Sequence, residues 1–136
     1  MKIFLDRPPN YDAIVEAFPR AADMGVIFAY GDTIYNPSGV DISPPLMAHE
    51  KAHGRRQAGD PAAWWTDYIA FWDFRYFEEL EAHAAELRAQ YAPDRNAWAR
   101  ALHRTAHRLI ADLYQYPKHP NGPDVKQALV DLREAL

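Results

Sequence analysis

The feature that most constrains this chain is a pair of histidines, four residues apart, in a segment that has the pattern of a single helix. The segment His49-Glu50-Lys51-Ala52-His53 follows Ser43-Pro44 and precedes Gly59. Serine is a favoured helix N-cap, proline fits the first helical position, and glycine commonly ends a helix. We therefore predict a helix from about 44 to 58 that carries both imidazoles on one face, one turn apart.

The residues before this helix predict a small sheet within about 1–36. A short strand at 2–5 is followed by a helix that Asn10 caps and Pro19 closes. The residues at 25–35 have the pattern of a β-hairpin around a glycine-containing turn. An active-site helix that follows such a hairpin has a strand edge nearby, which an extended peptide needs in order to bind.

The remainder of the chain, about 61–136, predicts helices. Capping residues and prolines place them at 61–90 with a break near 71–73, at 93–114, and at 124–135 after a linker. We find no repeat and no sign of a second domain. The sequence therefore predicts a single α+β domain over 1–136, with a small N-terminal sheet followed by a bundle of helices.

Composition limits the function classes. The chain has 136 residues, 49% of them hydrophobic and 13% aromatic, which is typical of one compact folded domain. It has no cysteine, so any metal must be held by His, Asp or Glu. The net charge of −4 argues against nucleic-acid binding. No apolar run is long enough for a signal peptide or a membrane span, so we expect a cytoplasmic protein without a membrane partner.

The histidine pair predicts zinc chemistry. Two imidazoles one helical turn apart can bind the same Zn²⁺, and the sequence His-Glu-x-x-His adds a carboxylate next to the first of them. Glu50 can accept a proton from a zinc-activated water, which then attacks a peptide carbonyl. We therefore predict a zinc-dependent metallopeptidase with His49 and His53 as ligands, Glu50 as general base, and a peptide or protein as substrate.

Catalytic zinc usually has a third protein ligand, and the segment 77–83 offers Glu78, Glu79 and Glu81. Within it, Glu79-Leu80-Glu81-Ala82 resembles the E-x-x-A motif of gluzincin metallopeptidases. The resemblance implies that Glu79 is the third ligand, with Glu78 and Glu81 as rivals. Many members of that family have Asp after the Ala, where this chain has His83. We expect His83 to orient a ligand or to stabilise the transition state.

A longer stretch carries a similar resemblance. The string GVIFAYGDTIYNPSG, the His-Glu-x-x-His motif, Ala63-Trp64-Trp65 and the Glu-rich helix resemble metallopeptidases encoded by bacteriophages, over about residues 1–90. This implies a zincin-like fold and action in the cytoplasm of a bacterial host. Related short zincins often carry Gln three residues after the second His. Arg56 has that place here, so no role is predicted for Gln57.

Two other functions fit the same pattern. One is a non-catalytic, zincin-shaped binding or assembly module of a phage particle. The other is a metal-dependent hydrolase that uses the same water on a non-peptide substrate.

Several residues remain candidates for smaller roles. A zincin needs a donor for the developing oxyanion, and Tyr68, Tyr76 or one of His103 and His107 could supply it. The two histidines lack an intervening Glu and are flanked by arginines, so we predict a polar helix face and not a second zinc site. An aromatic-rich stretch is predicted to be core: Trp64, Trp65, Phe71, Trp72, Phe74, Tyr76 and Phe77. The basic spots at 55–56 and 100–108 are predicted to be solvated faces.

Overall fold

The computed structural model describes residues 1–117 and 122–134 of the chain. It is an α+β structure that is mostly helical, as predicted. The strands are β1 (Lys2–Phe4), β2 (Phe28–Tyr30) and β3 (Thr33–Tyr35). The helices are α1 (Tyr11–Ala17), α2 (Pro44–Arg56), α3 (Pro61–Ala70), α4 (Trp72–Arg88), α5 (Arg95–Leu109) and α6 (Gly122–Glu134).

The three strands form one sheet in the order β1-β3-β2. β1 is parallel to β3, and β2 pairs antiparallel with β3 as the predicted hairpin. Gly31 turns the hairpin with a φ of 64°, in the left-handed region that favours glycine. In this strand order β2 is an edge strand. Its contacts with α2 place it beside the helix that carries the histidines.

Capping residues set the starts of the helices largely as predicted. Ser43 Oγ accepts a hydrogen bond from the Leu46 amide, and Asp60 Oδ1 accepts one from the Ala63 amide. The predicted break is at Phe71, whose extended backbone separates α3 from α4. Asn10 is the N-cap residue of α1, as predicted, but its side chain makes no capping hydrogen bond.

The fifth helix ends earlier than predicted. α5 stops at Leu109, and an extended Ala111 leads into a short 3₁₀ turn, Asp112–Tyr114. Neither glycine nor proline marks this break in the sequence. The last helix begins near the predicted place, while residues 118–121 of the predicted linker and Ala135 lie outside the described residues.

Small residues let α2 approach its neighbours closely. Ala52 of α2 is buried against Ala82 and Ala85 of α4. On the other side of α2, Gly54 lies so close to the Gly31 carbonyl that an added Cβ would stand 2.7 Å from that oxygen. The close approach fixes α2 between α4 and the hairpin, with the two histidines in the interior.

Gln57 joins the end of α2 to the hairpin. Its side chain is buried, Nε2 donates to the Ala29 carbonyl at 3.0 Å, and Oε1 accepts from the Gly31 amide at 2.6 Å. Both bonds satisfy buried polar groups that would otherwise destabilise the fold. Gln57 thus has a structural role that the sequence analysis did not predict.

The aromatic residues are core only in part. Trp64 and Trp65 are buried with Phe18 and Phe28, as predicted, and Tyr68 is buried with them. The prediction is wrong for three others near the start of α4, which are exposed: Phe71, Trp72 and Phe77. Among the described residues, no helix has both the length and the apolar character needed to cross a bilayer.

Candidate metal centre

The centre lies where α2 packs against α4. Nε2 of His49 is 3.3 Å from Oε2 of Glu79, and Nε2 of His53 is 3.1 Å from Oε1 of the same carboxylate. All three side chains are buried, and one ligand atom from each lies within 4.8 Å of the others. The structure thus brings together the three residues predicted as ligands.

Each histidine nitrogen lies at about the distance from one oxygen of Glu79 that separates neighbouring ligand atoms in a tetrahedral zinc site. With metal–ligand bonds of about 2.0–2.1 Å, neighbouring ligand atoms lie about 3.3 Å apart. Oε2 of Glu79 is buried, and within the described residues no hydrogen bond of good geometry satisfies it, although Nε2 of His49 is 3.3 Å away. A buried carboxylate in this position, with both imidazole nitrogens close to it, leaves a place for a cation. The residues present therefore fit zinc.

Charge at the centre favours an ionised Glu79. Burial opposes ionisation, but His53 and His49 beside the carboxyl outweigh it and hold the pKa of Glu79 well below its usual range.

Glu50 has the opposite shift, because burial raises its pKa to about 8. Oε1 of Glu50 lies 4.0 Å from Nε2 of His49, so a cation held by the histidines would stand close to it. A nearby divalent cation favours the carboxylate form that a general base needs.

The rival carboxylates on α4 point elsewhere. Both oxygens of Glu78 already accept hydrogen bonds: Oε2 from Arg56 at 2.7 Å and Oε1 from the Trp64 indole at 2.6 Å. The Glu81 side chain is 35% exposed and lies 3.8 Å from Arg56. Of the three glutamates, Glu79 is the one that the structure places beside the histidines, and Glu81 is the one on a solvated face.

His83 lies on the same buried face of α4 as Glu79. Its Nδ1 donates to the Glu79 carbonyl at 2.7 Å, and its ring centroid is 4.5 Å from that of His49. Burial lowers the pKa of His83 to about 3, so the ring is neutral and Nε2 carries no proton. An unprotonated Nε2 cannot donate to an oxyanion. The geometry therefore agrees better with the positioning role predicted for His83 than with transition-state stabilisation.

The predicted oxyanion donors are spread over the molecule. The Tyr68 hydroxyl donates to Oε1 of Glu79 at 2.7 Å and so holds the carboxylate. Tyr76 packs against the core formed by α4, α5 and α6. His103 and His107 stack on each other on the exposed side of α5, as the prediction of a polar helix face requires.

Tyr114 is a site residue that the sequence analysis missed. It lines the same hollow as His49 and Glu50, and burial followed by the Glu79 charge raises its pKa well above the usual range. The tyrosine therefore stays protonated and can donate a hydrogen bond. It comes from the 3₁₀ turn after α5, where no pattern in the sequence marks it.

Two hollows reach the centre. One, of about 80 Å³, is mainly apolar and is bordered by His53, Trp64 and Ile14. The other, of about 300 Å³, is bordered by Glu50, His83 and Glu86. Val26 and Ile27, just before β2, line both hollows. Both hollows therefore adjoin the segment that leads into the edge strand.

His49, His83 and Glu86 form a second buried group that could hold a cation. This group shares His49 with the first one. Arg108 also donates hydrogen bonds to both oxygens of Glu86, at 3.0 and 2.8 Å. The cation of Arg108 would repel a metal ion there, so the group with His53 and Glu79 is the better zinc site.

Replacing Tyr68 by Phe is expected to weaken zinc binding by about 10–100-fold. The variant keeps the ring in the core but removes the hydroxyl that holds Oε1 of Glu79, and the loss of such a support typically costs this much affinity. Competition with a chelator of known affinity measures the change. Tyr76→Phe is the matched control, and an equal loss in both variants would contradict the role of Tyr68.

Comparison of the chain with known proteins gives no match among family models, curated proteins or solved structures. The function must therefore be inferred from the site itself: two histidines and a glutamate that converge, a second buried glutamate beside them, and an adjoining cleft.

Proposed function

We propose that this chain is a zinc-dependent metallopeptidase with a zincin-like fold of the gluzincin type. The observation that supports it most is the convergence of His49, His53 and Glu79 on one buried point. These three residues would hold the zinc and leave a fourth position open, as in catalytic zinc sites. Glu50 lies next to that point and borders the cleft.

The reaction is hydrolysis of a peptide bond. Zinc bound at the centre supplies a Lewis acid that lowers the pKa of a water and polarises the scissile carbonyl. Glu50 accepts a proton from the attacking water as the oxygen adds to the carbonyl carbon. The C–N bond then breaks, and Glu50 returns the proton to the leaving nitrogen. Tyr114 lines the cleft and is protonated, and we assign it the role of donor to the developing oxyanion.

The segment that leads into the edge strand β2 favours a substrate that binds in an extended conformation. Residues 26–27 line both hollows, so a peptide pairing with this edge would pass beside Glu50. The Ala29 carbonyl already accepts hydrogen bonds from Gln57 and Trp65. Pairing is therefore confined to the residues before Ala29, next to the metal centre.

The buried Glu50 beside the cleft favours hydrolysis over a non-catalytic binding or assembly module. A module that only needs a structural metal has no use for a carboxylate with a raised pKa at an open site. Hydrolysis of a non-peptide substrate would use the same residues. Assays of peptide libraries beside ester and non-peptide amide substrates distinguish a peptidase from a hydrolase of non-peptide substrates.

The first test is the metal content of the purified protein. We expect about one zinc per chain, lost in His53→Ala and kept in His107→Ala, a matched control from the exposed histidine pair on α5. Elemental mass spectrometry measures the metal, and peptide-library digestion then tests the activity. Absence of zinc from the wild type, even after zinc is added, would refute the proposal.

A further inference from the structure

The exposed face of α5 concentrates positive charge. Arg100, Arg104 and Arg108 follow one another at intervals of four residues, and His103 and His107 lie on the same side. All five side chains are exposed. The helix itself contains no Asp or Glu, although the chain has a net charge of −4. This face, which we call the basic face, therefore differs in charge from the molecule as a whole.

The basic face and the cleft of the metal centre share Arg108. A hollow of about 570 Å³ lies along it, lined by Gln90, His103, Arg104, His107 and Arg108. Arg108 also lines the 300 Å³ hollow that contains His49 and Glu50. Arg108 thus borders both hollows, so a peptide chain lying along α5 would reach the cleft beside this residue.

Arg108 is held rigidly at this junction. Its guanidinium donates to both oxygens of Glu86, at 3.0 and 2.8 Å, and to Thr105 at 3.2 Å. Glu86 and Thr105 are buried. Their hydrogen bonds therefore hold the Arg108 guanidinium in place, although its side chain is exposed. Arg100 and Arg104 make no ion pair within the described residues, and their charges are available to a ligand.

We propose that the basic face binds an acidic peptide segment of the substrate and so directs the adjoining residues into the cleft. Complementary charge gives such an encounter its specificity and speed. A nucleic acid is a poorer fit, because a long polyanion extends beyond this one face and meets the acidic remainder of the chain. That the bound peptide is then cleaved rests on the proposed function; the binding itself does not.

The test compares binding of two labelled peptides, one with a tetraglutamate segment and one with tetraglutamine in its place. The protein is the full-length Glu50→Gln variant, with and without zinc, which binds without cleaving. We expect fluorescence anisotropy at low salt to show preference for the acidic peptide. Arg100→Glu with Arg104→Glu should weaken its binding by about tenfold, and added salt should weaken it in the parent protein.

The matched control is Lys2→Glu with Arg7→Glu, the same change of charge at two exposed residues near β1. It should change the affinity by less than about twofold. Equal affinity for the two peptides, an equal loss in both double variants, or tighter binding of an oligonucleotide of the same charge would each overturn the proposal. Binding of the acidic peptide by a protein that neither holds zinc nor cleaves peptides would support the basic face and refute the peptidase.

Discussion

Replacing Glu50 by Gln is expected to lower kcat/KM for peptide hydrolysis by about 10²–10⁴-fold while zinc stays bound. Glutamine has nearly the same shape, so the packing between α2 and the cleft is kept. It cannot accept a proton from the attacking water, and the step that needs a base is lost. His49, His53 and Glu79 are unchanged and still converge on the metal position. The measurement is steady-state hydrolysis together with zinc content of the same preparation.

Glu81→Gln is the matched control, because that carboxylate is partly exposed on α4 and lies away from the centre. It should keep nearly the full activity. Hydrolysis by Glu50→Gln at the wild-type rate would remove Glu50 from the mechanism. Loss of zinc from the variant would instead show that Glu50 supports the metal site and is not the base.

The parts of the fold that the sequence predicted depend on local chemistry. The caps at Ser43 and Asp60 act within three residues, and the turn at Gly31 needs only a residue that tolerates a positive φ. The spacing of His49 and His53 places them on one face of any helix. Such features can be recognised from a few neighbouring residues, and the structure has them where they were predicted.

Contacts between distant parts of the chain were not predictable in this way. Residue type alone did not distinguish Glu78, Glu79 and Glu81, and the prediction of Glu79 came from the resemblance to the E-x-x-A motif. Only the rotation of α4 against α2 decides which of them meets the histidines, since successive residues on a helix point about 100° apart. Glu78 turns instead to Arg56 and Trp64. Such choices depend on packing that no short segment encodes.

The same reason explains the residues that were missed. Tyr114 reaches the cleft because the chain leaves the helical conformation at Ala111, and Gln57 reaches the hairpin because Gly54 lets α2 approach it. Neither side chain belongs to a motif. Their roles arise only after α2, α4 and the hairpin have packed together.

Replacing Glu79 by Gln is expected to weaken zinc binding by roughly a hundredfold or more, a larger effect than loss of a supporting hydrogen bond. The amide removes the charge that balances the cation, but it keeps the volume of a side chain buried between α2 and α4. Glu81→Gln on the same helix should leave zinc binding almost unchanged. Chelator competition on the two purified variants measures the difference.

Thermal unfolding with and without zinc separates a lost ligand from a damaged fold. A ligand that binds only the native state raises the unfolding temperature, so zinc should stabilise the wild type and Glu81→Gln but hardly affect Glu79→Gln. If the metal-free variants unfold at similar temperatures, the difference in stabilisation by zinc comes from the metal site and not from a damaged fold. The reverse order, with Glu81→Gln losing zinc, would move the third ligand to Glu81 and require α4 to be rotated from the position described here. Because the two glutamates lie only two residues apart yet point in different directions, this pair tests the helix orientation and the zinc site together.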